Sequence, residues 1–214
     1  MCMKKAVGSI GFALLTKFSS IFKMSFIVGS QMIWLSGPAV LAPLAGAFGG
    51  VLGSAIVFVA RLALHFLMFK TISLSFLVFC VPGFFASLYW ATRSAVIRVI
   101  VPIACMGLFI AHPVGNQAFV YSLYWLLPVV LYVSGNRSLF GQALGATFVA
   151  HAVGSVIWLY TVPMTAALWL GLIPVVACER LLFAVLMVGA YRVIEGAMGI
   201  VGSRIALSYT SREA

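Results

Sequence analysis

The sequence predicts an all-α integral membrane protein, a polytopic bundle of about six transmembrane helices. Three observations carry this. Hydrophobic residues make up 64% of the 214, charged residues only 7%, and mean hydropathy is +1.20. Long apolar runs alternate with short turn-forming breaks, and the basic residues stand singly at the ends of those runs. A soluble domain averages roughly 45–50% apolar and about 25% charged residues, and could not keep this much apolar surface out of water. The formal charge of +10 then reads as membrane topology rather than a nucleic-acid footprint.

Residues 1–17, with Lys4, Lys5 and Lys17, read as a basic helix lying in the membrane interface. Lys17 and Lys23 interrupt any compact signal-peptide core, so no cleavage is expected. Residues 18–193 form the bundle and 194–214 a cytoplasmic tail. Seven apolar segments fit within the bundle: 18–36, 39–60, 72–90, 98–113, 117–133, 140–160 and 166–191. Their breaks are Ser36-Gly37-Pro38, Arg61 to Lys70, Arg93 to Arg98, His112 to Asn116, Ser134 to Arg137, and Tyr160 to Thr165.

Basic residues decide between seven crossings and six. If 72–90 is re-entrant or interfacial, as Pro82-Gly83 within it suggests, every lysine and arginine except Arg180 falls on one side. The outer connections then carry none, the asymmetry that orients membrane proteins. This places both termini in the cytoplasm of a plasma-membrane protein. A second arrangement removes 18–36 instead and leaves Arg61 and Lys70 outside.

Small residues form flat faces at Gly46/Gly50, Gly49/Gly53, Gly141/Gly145, Ala146/Ala150 and Ala150/Gly154. In lipid, helices associate where backbones approach closely, and packing inside the bundle is the plain reading, ahead of docking to another subunit. Cys2, Cys80, Cys105 and Cys178 lie far apart without a C-x-x-C pair, so they read as small packing residues.

Ala111-His112-Pro113-Val114-Gly115 recurs as Ala150-His151-Ala152-Val153-Gly154, with Leu-Leu/Ile-Pro-Val-Val following each. Two parallel repeats would produce such an echo. It directs attention to polar groups in apolar surroundings, where ionisable side chains are costly and mark working sites. Glu179 and Arg180 sit inside the last apolar run, in a chain with three glutamates and no aspartate. Adjacent helix positions point about 100° apart, so these two need not pair. His112, Asn116 and Gln117 lie at an outer turn and His151 is mid-segment. The three histidines have no metal-ligand spacing, and phosphate loops, dinucleotide fingerprints and nucleophile elbows are absent. No cofactor or metal is implied, and scarce carboxylates leave few actors for acid–base catalysis.

The size, about six spans, basic N-terminal helix and small-residue faces, together with His151-Ala152-Val153-Gly154, Trp158, Pro163, Trp169 and Glu179-Arg180 within 145–192, resemble the substrate-binding S component of energy-coupling-factor vitamin transporters. That resemblance implies a small-molecule binder working with a transmembrane coupling subunit and cytoplasmic ATPases. The family's Ala-x-x-x-Ala docking pattern is not evident in 18–36. Under this reading the outer ends of the last four spans frame a substrate pocket. Trp125, Trp158 and Trp169 supply walls, and His112, Asn116, Gln117, His151, Glu179 and Arg180 supply polar contacts. Two other classes stay open: a structural or assembly membrane protein, and an enzyme acting on lipid or quinone.

Overall fold

The computed structural model describes residues 11–12, 14–21, 23–28, 31–72 and 74–210, so the interfacial helix expected over 1–17 lies largely outside the described residues. Of it, 11–12 and 14–17 are helical. The fold is helical apart from one antiparallel strand pair, β1 (Lys23–Val28) and β2 (Gln31–Ser36), in register from Lys23 opposite Ser36 to Val28 opposite Gln31. The span expected over 18–36 is therefore not a helix there. Its local chemistry explains why. Two runs carrying Phe26, Ile27, Val28, Ile33 and Trp34 flank Gly29-Ser30, a hairpin pattern that average hydropathy cannot distinguish from a span.

Six principal helices follow. They are α1 (Gly37–Phe69), α2 (Leu74–Ala91), α3 (Val96–Ala111, opening with a π-helical turn), α5 (Phe119–Val133), α6 (Leu139–Thr161) and α8 (Ile173–Thr210). Short helices α4 (Pro113–Gln117) and α7 (Ala166–Gly171) link them. Three are long and apolar enough to cross a membrane: α1, α6 and the Ile173–Met198 part of α8. The expected Arg61-to-Lys70 break is absent, because α1 stays helical to Phe69 and ends on Lys70 in the left-handed conformation (φ 57°). The expected tail likewise continues α8 as far as Thr210.

Segment 72–90 departs from the broken helix that Pro82-Gly83 suggests. It forms one continuous helix through Pro82, packed lengthwise between α1 and α6. Read backwards along α2, its partners ascend along α1: Ser87 meets Gly46 and Ser54, Phe84 lies tilted against Phe58, Gly83 faces Arg61, and Phe76 lies on His65. On α6, Tyr89 rests on Gly145 and Pro82 faces Gly154. Both contacts are antiparallel.

Two glycines make the α1–α2 approach possible. At Gly46 a Cβ would overlap the Ser87 carbonyl oxygen, so only hydrogen fits. At Gly50 α1 kinks through φ 64°, ψ −158°, a conformation essentially restricted to glycine. Ser54 donates to the Gly50 carbonyl at 3.0 Å, and Ser87 donates to Ser54 at 2.8 Å. The small-residue face of α1 is thus used inside the fold, at least at buried Gly46 and Gly53.

Helix α6 is central, contacting α2, α3, α5 and α8, and α8 closes back on α1. Phe48, Trp90 and Tyr191 stack at one end, joining α1, α2 and α8. Consecutive principal helices run in opposite directions, so the ends of α3, α6 and the starts of α5 and α8 gather at the other. Gly46→Ala is expected to cost about 2 kcal/mol or more, read as a lower unfolding temperature in detergent. Gly107→Ala, where a Cβ meets nothing within 4 Å, should leave that temperature unchanged.

Candidate functional site

A polar cluster sits within the aromatic core at the converging end. His151 and Ser155 share one face of α6, four residues apart. Helix α5 presents Tyr121 to both: its hydroxyl lies 2.9 Å from His151 Nε2 and 3.4 Å from Ser155 Oγ. The α5 backbone tightens into a 3-10 turn over Leu123–Trp125. Pro128 offers no N–H to the Tyr124 carbonyl there, a local cause for the altered winding.

Aromatic rings enclose the cluster. Phe109 from α3 meets Trp125 and Trp169 edge-on, each with ring centroids 5.2 Å apart. Tyr121 meets Trp169 at 4.9 Å, and His151 lies against Trp125 and Phe148. Tyr124 donates to the Ile173 carbonyl at 2.9 Å and ties α5 to the start of α8. Trp125 is fully buried and Trp169 2% exposed, yet both indole N–H groups lack an acceptor. Edge-to-face geometry suits aromatic quadrupoles, but an unpaired buried donor costs about 1–3 kcal/mol.

Glu179 and Arg180 pair with each other at 2.6 Å, a closer arrangement than adjacent helix positions suggest. Both are mostly buried, and Arg180 also lies 4.8 Å over the Phe183 ring. Its Nε is buried without an acceptor. The structure thus brings Trp125 and His151 together and pairs Glu179 with Arg180.

The other expected site residues lie elsewhere. His112 caps α4, accepting from the Val114 N–H at 3.3 Å, and its ring packs edge-on against Tyr160. Asn116 and Gln117 are exposed on α4. Trp158 is 38% exposed and donates to Met164 Sδ at 3.1 Å. The internal echo also separates: His112 stands at a helix boundary and His151 inside a helix, so the matched segments are not equivalent in structure. The sequence singles out neither Tyr121 nor Ser155. The i, i+4 spacing of His151 and Ser155 was a readable signal, whereas nothing local links Tyr121 to them.

Arg98, which the sequence places at the Arg93-to-Arg98 break, is 1% exposed. It donates to the carbonyls of Tyr89 (2.7 Å) and Thr92 (3.1 Å) and to Gln142 Oε1 (2.7 Å), and lies over the Tyr89 ring at 4.0 Å. It caps the C-terminal carbonyls of α2, where a cation is favoured. Cys80 and Cys105 are buried, as packing residues would be, and Cys178 is exposed. Among the described residues no three His, Cys, Asp or Glu side chains group for a metal. A separate cavity of about 480 Å³ lies at the opposite end, between Leu15, Phe18, Val40, Leu41 and Leu186, and is almost wholly apolar.

The chain matches no protein-family model, no curated protein and no solved structure. Tyr121→Phe, which removes the hydroxyl shared by His151 and Ser155, should cost about 1 kcal/mol. That is a drop of about 2–4 °C in a thermal unfolding measurement.

Proposed function

We propose that this chain is a membrane-embedded subunit that binds a small molecule inside its helical bundle and serves in transport. One observation carries the reading: Tyr121, His151 and Ser155 lie among buried rings that include Trp125 and Trp169, whose indole N–H groups have no acceptor. Buried donors are nearly always paired, so a site left rich in donors favours a guest with acceptor oxygens or nitrogens between aromatic walls. A few oriented polar groups in an apolar pocket are the usual composition of a ligand site. The resemblance to S components supplies the partners, a coupling subunit and cytoplasmic ATPases that provide energy. The absence of a phosphate loop from the sequence accords with that division of labour.

The orientation we propose has α1, α2, α3, α5, α6 and α8 crossing the plasma membrane, with both termini cytoplasmic. Tilt and local thinning accommodate the shorter α3 and α5. Arg93, Arg98, Arg137 and Arg192 gather toward one end, against Arg61 and Lys70 toward the other. The richer end faces inward by charge bias. Lys70→Cys and Arg137→Cys, each in a background lacking the native cysteines, should react with an impermeant thiol reagent from opposite sides of sealed vesicles. Labelling of both from one side would exclude six crossings.

Purification in mild detergent, with mass spectrometry of accompanying proteins and extracted small molecules, tests the binding role. The wild type should carry a guest, or the coupling and ATPase subunits. Glu179→Gln and Trp169→Phe should each lower guest content about tenfold, the effect of losing a buried anchor, with the unfolding temperature of the guest-free protein retained. Unchanged content would remove those residues from the site. A wild type isolated with neither guest nor partners would overturn the transport reading and favour a structural role.

A further inference from the structure

We propose that the arginine-rich end of the bundle, around Arg93, Arg98 and Arg137, is a binding site for the phosphate headgroup of an anionic phospholipid. The proposal rests on the membrane reading above but is independent of any guest bound near His151.

The α2–α3 connection and the α5–α6 turn meet at this end. Arg93 Nη2 donates to the Asn136 carbonyl at 3.2 Å, and Gln142 Nε2 donates to the same oxygen at 3.3 Å. Arg98 donates to Gln142 Oε1, so Asn136 and Gln142 link the two arginines. Arg137 follows Asn136 directly and is exposed, as is Arg93. Through these bonds the two guanidinium groups are held at one place. Among the described residues no carboxylate pairs with them. Among the described residues the carboxylates are Glu179 and Glu195, which pair with Arg180 and Arg192 on α8. Arg98 Nη1 is buried without an acceptor.

Like charges fixed together without a counterion are unfavourable, and an anion bound there relieves the repulsion. Arginine suits phosphate oxygens through its planar set of donors. Basic pockets between transmembrane helices on the cytoplasmic side take anionic headgroups, and a lipid there is present at high local concentration. The exposed Arg93 and Arg137 make the contact. Arg98 holds the ends of α2 and α6 in place and supplies positive potential from behind.

The test uses the full chain purified in mild detergent, with phosphatidylglycerol, phosphatidylcholine and inorganic phosphate as probes. Binding is followed by native mass spectrometry and by thermal shift. Phosphatidylglycerol should bind and stabilise the wild type, and the Arg93→Gln/Arg137→Gln double variant should bind it about tenfold or more weakly, given the usual contribution of a basic residue at an anionic surface. Arg192→Gln removes a positive charge toward the same end but outside the cluster, and should keep the affinity within about twofold. Equal binding of phosphatidylglycerol by the wild type and the double variant would overturn the site, as would equal stabilisation by phosphatidylcholine. If inorganic phosphate competes with the lipid at similar concentration, the site takes a free anion and the lipid assignment fails. Because Arg98 is retained, the double variant keeps the α2 cap. Its elution volume and unfolding temperature without lipid are measured alongside, and a misfolded double variant is replaced by the two single ones, each expected to weaken lipid binding.

Discussion

The close fit of α2 between α1 and α6 is the constraint on which the rest depends. Gly46 lets the α1 backbone reach the Ser87 carbonyl, and Gly145 makes room for the Tyr89 ring. In a bilayer no hydrophobic drive pulls helices together, so association rests on close packing and hydrogen bonds. The Ser54–Ser87 contact at the Gly50 kink adds a polar link to that packing. With α2 held on both sides, α6 acquires a fixed depth relative to α1, and the faces of α3, α5 and α8 are set by packing on α6.

Arg98 continues the same arrangement in polar form. The C-terminal carbonyls of α2 would otherwise end in an apolar interior, and the guanidinium takes two of them while bridging to Gln142 on α6. A buried cation is costly, but this one is stabilised by charge-assisted hydrogen bonds and by the Tyr89 ring. At the opposite end the polar cluster around His151 is built by the same convergence. Three segments distant in sequence contribute Tyr121, His151 with Ser155, and Trp169. The two ends are chemically different: one arginine-rich, the other aromatic with an internally neutralised Glu179–Arg180 pair.

Much of the helix layout was legible in the sequence because hydropathy and turn chemistry are local. Segments 98–113, 117–133 and 140–160 match α3, α5 and α6 within two residues at either end. The same locality misled elsewhere. The 18–36 run is apolar enough for a span but contains two strands, Lys23–Val28 and Gln31–Ser36. Pro82-Gly83 reads as a break, yet α2 continues because flanking helices hold it. Counting charges favoured an orientation that placed Arg61 and Lys70 beside Arg93, whereas the antiparallel α1–α2 pairing carries them toward opposite ends.

By itself the sequence determined the apolar, helical class of the protein, the bounds of α3, α5 and α6 to within two residues, and the unusual standing of Glu179, Arg180 and His151. Composition and spacing suffice for these, since a residue's cost in an apolar run depends on the run. Tertiary structure alone decided which polar groups meet. Tyr121 reaches His151 across 30 residues and Arg98 reaches Gln142 across 44. It also separated His112, Asn116, Gln117 and Trp158 from the cluster and turned Arg98 from a flank into a buried cap. Such pairings follow from how helix faces dock, and a helix carries no record in its own residues of which neighbour will lie against each face.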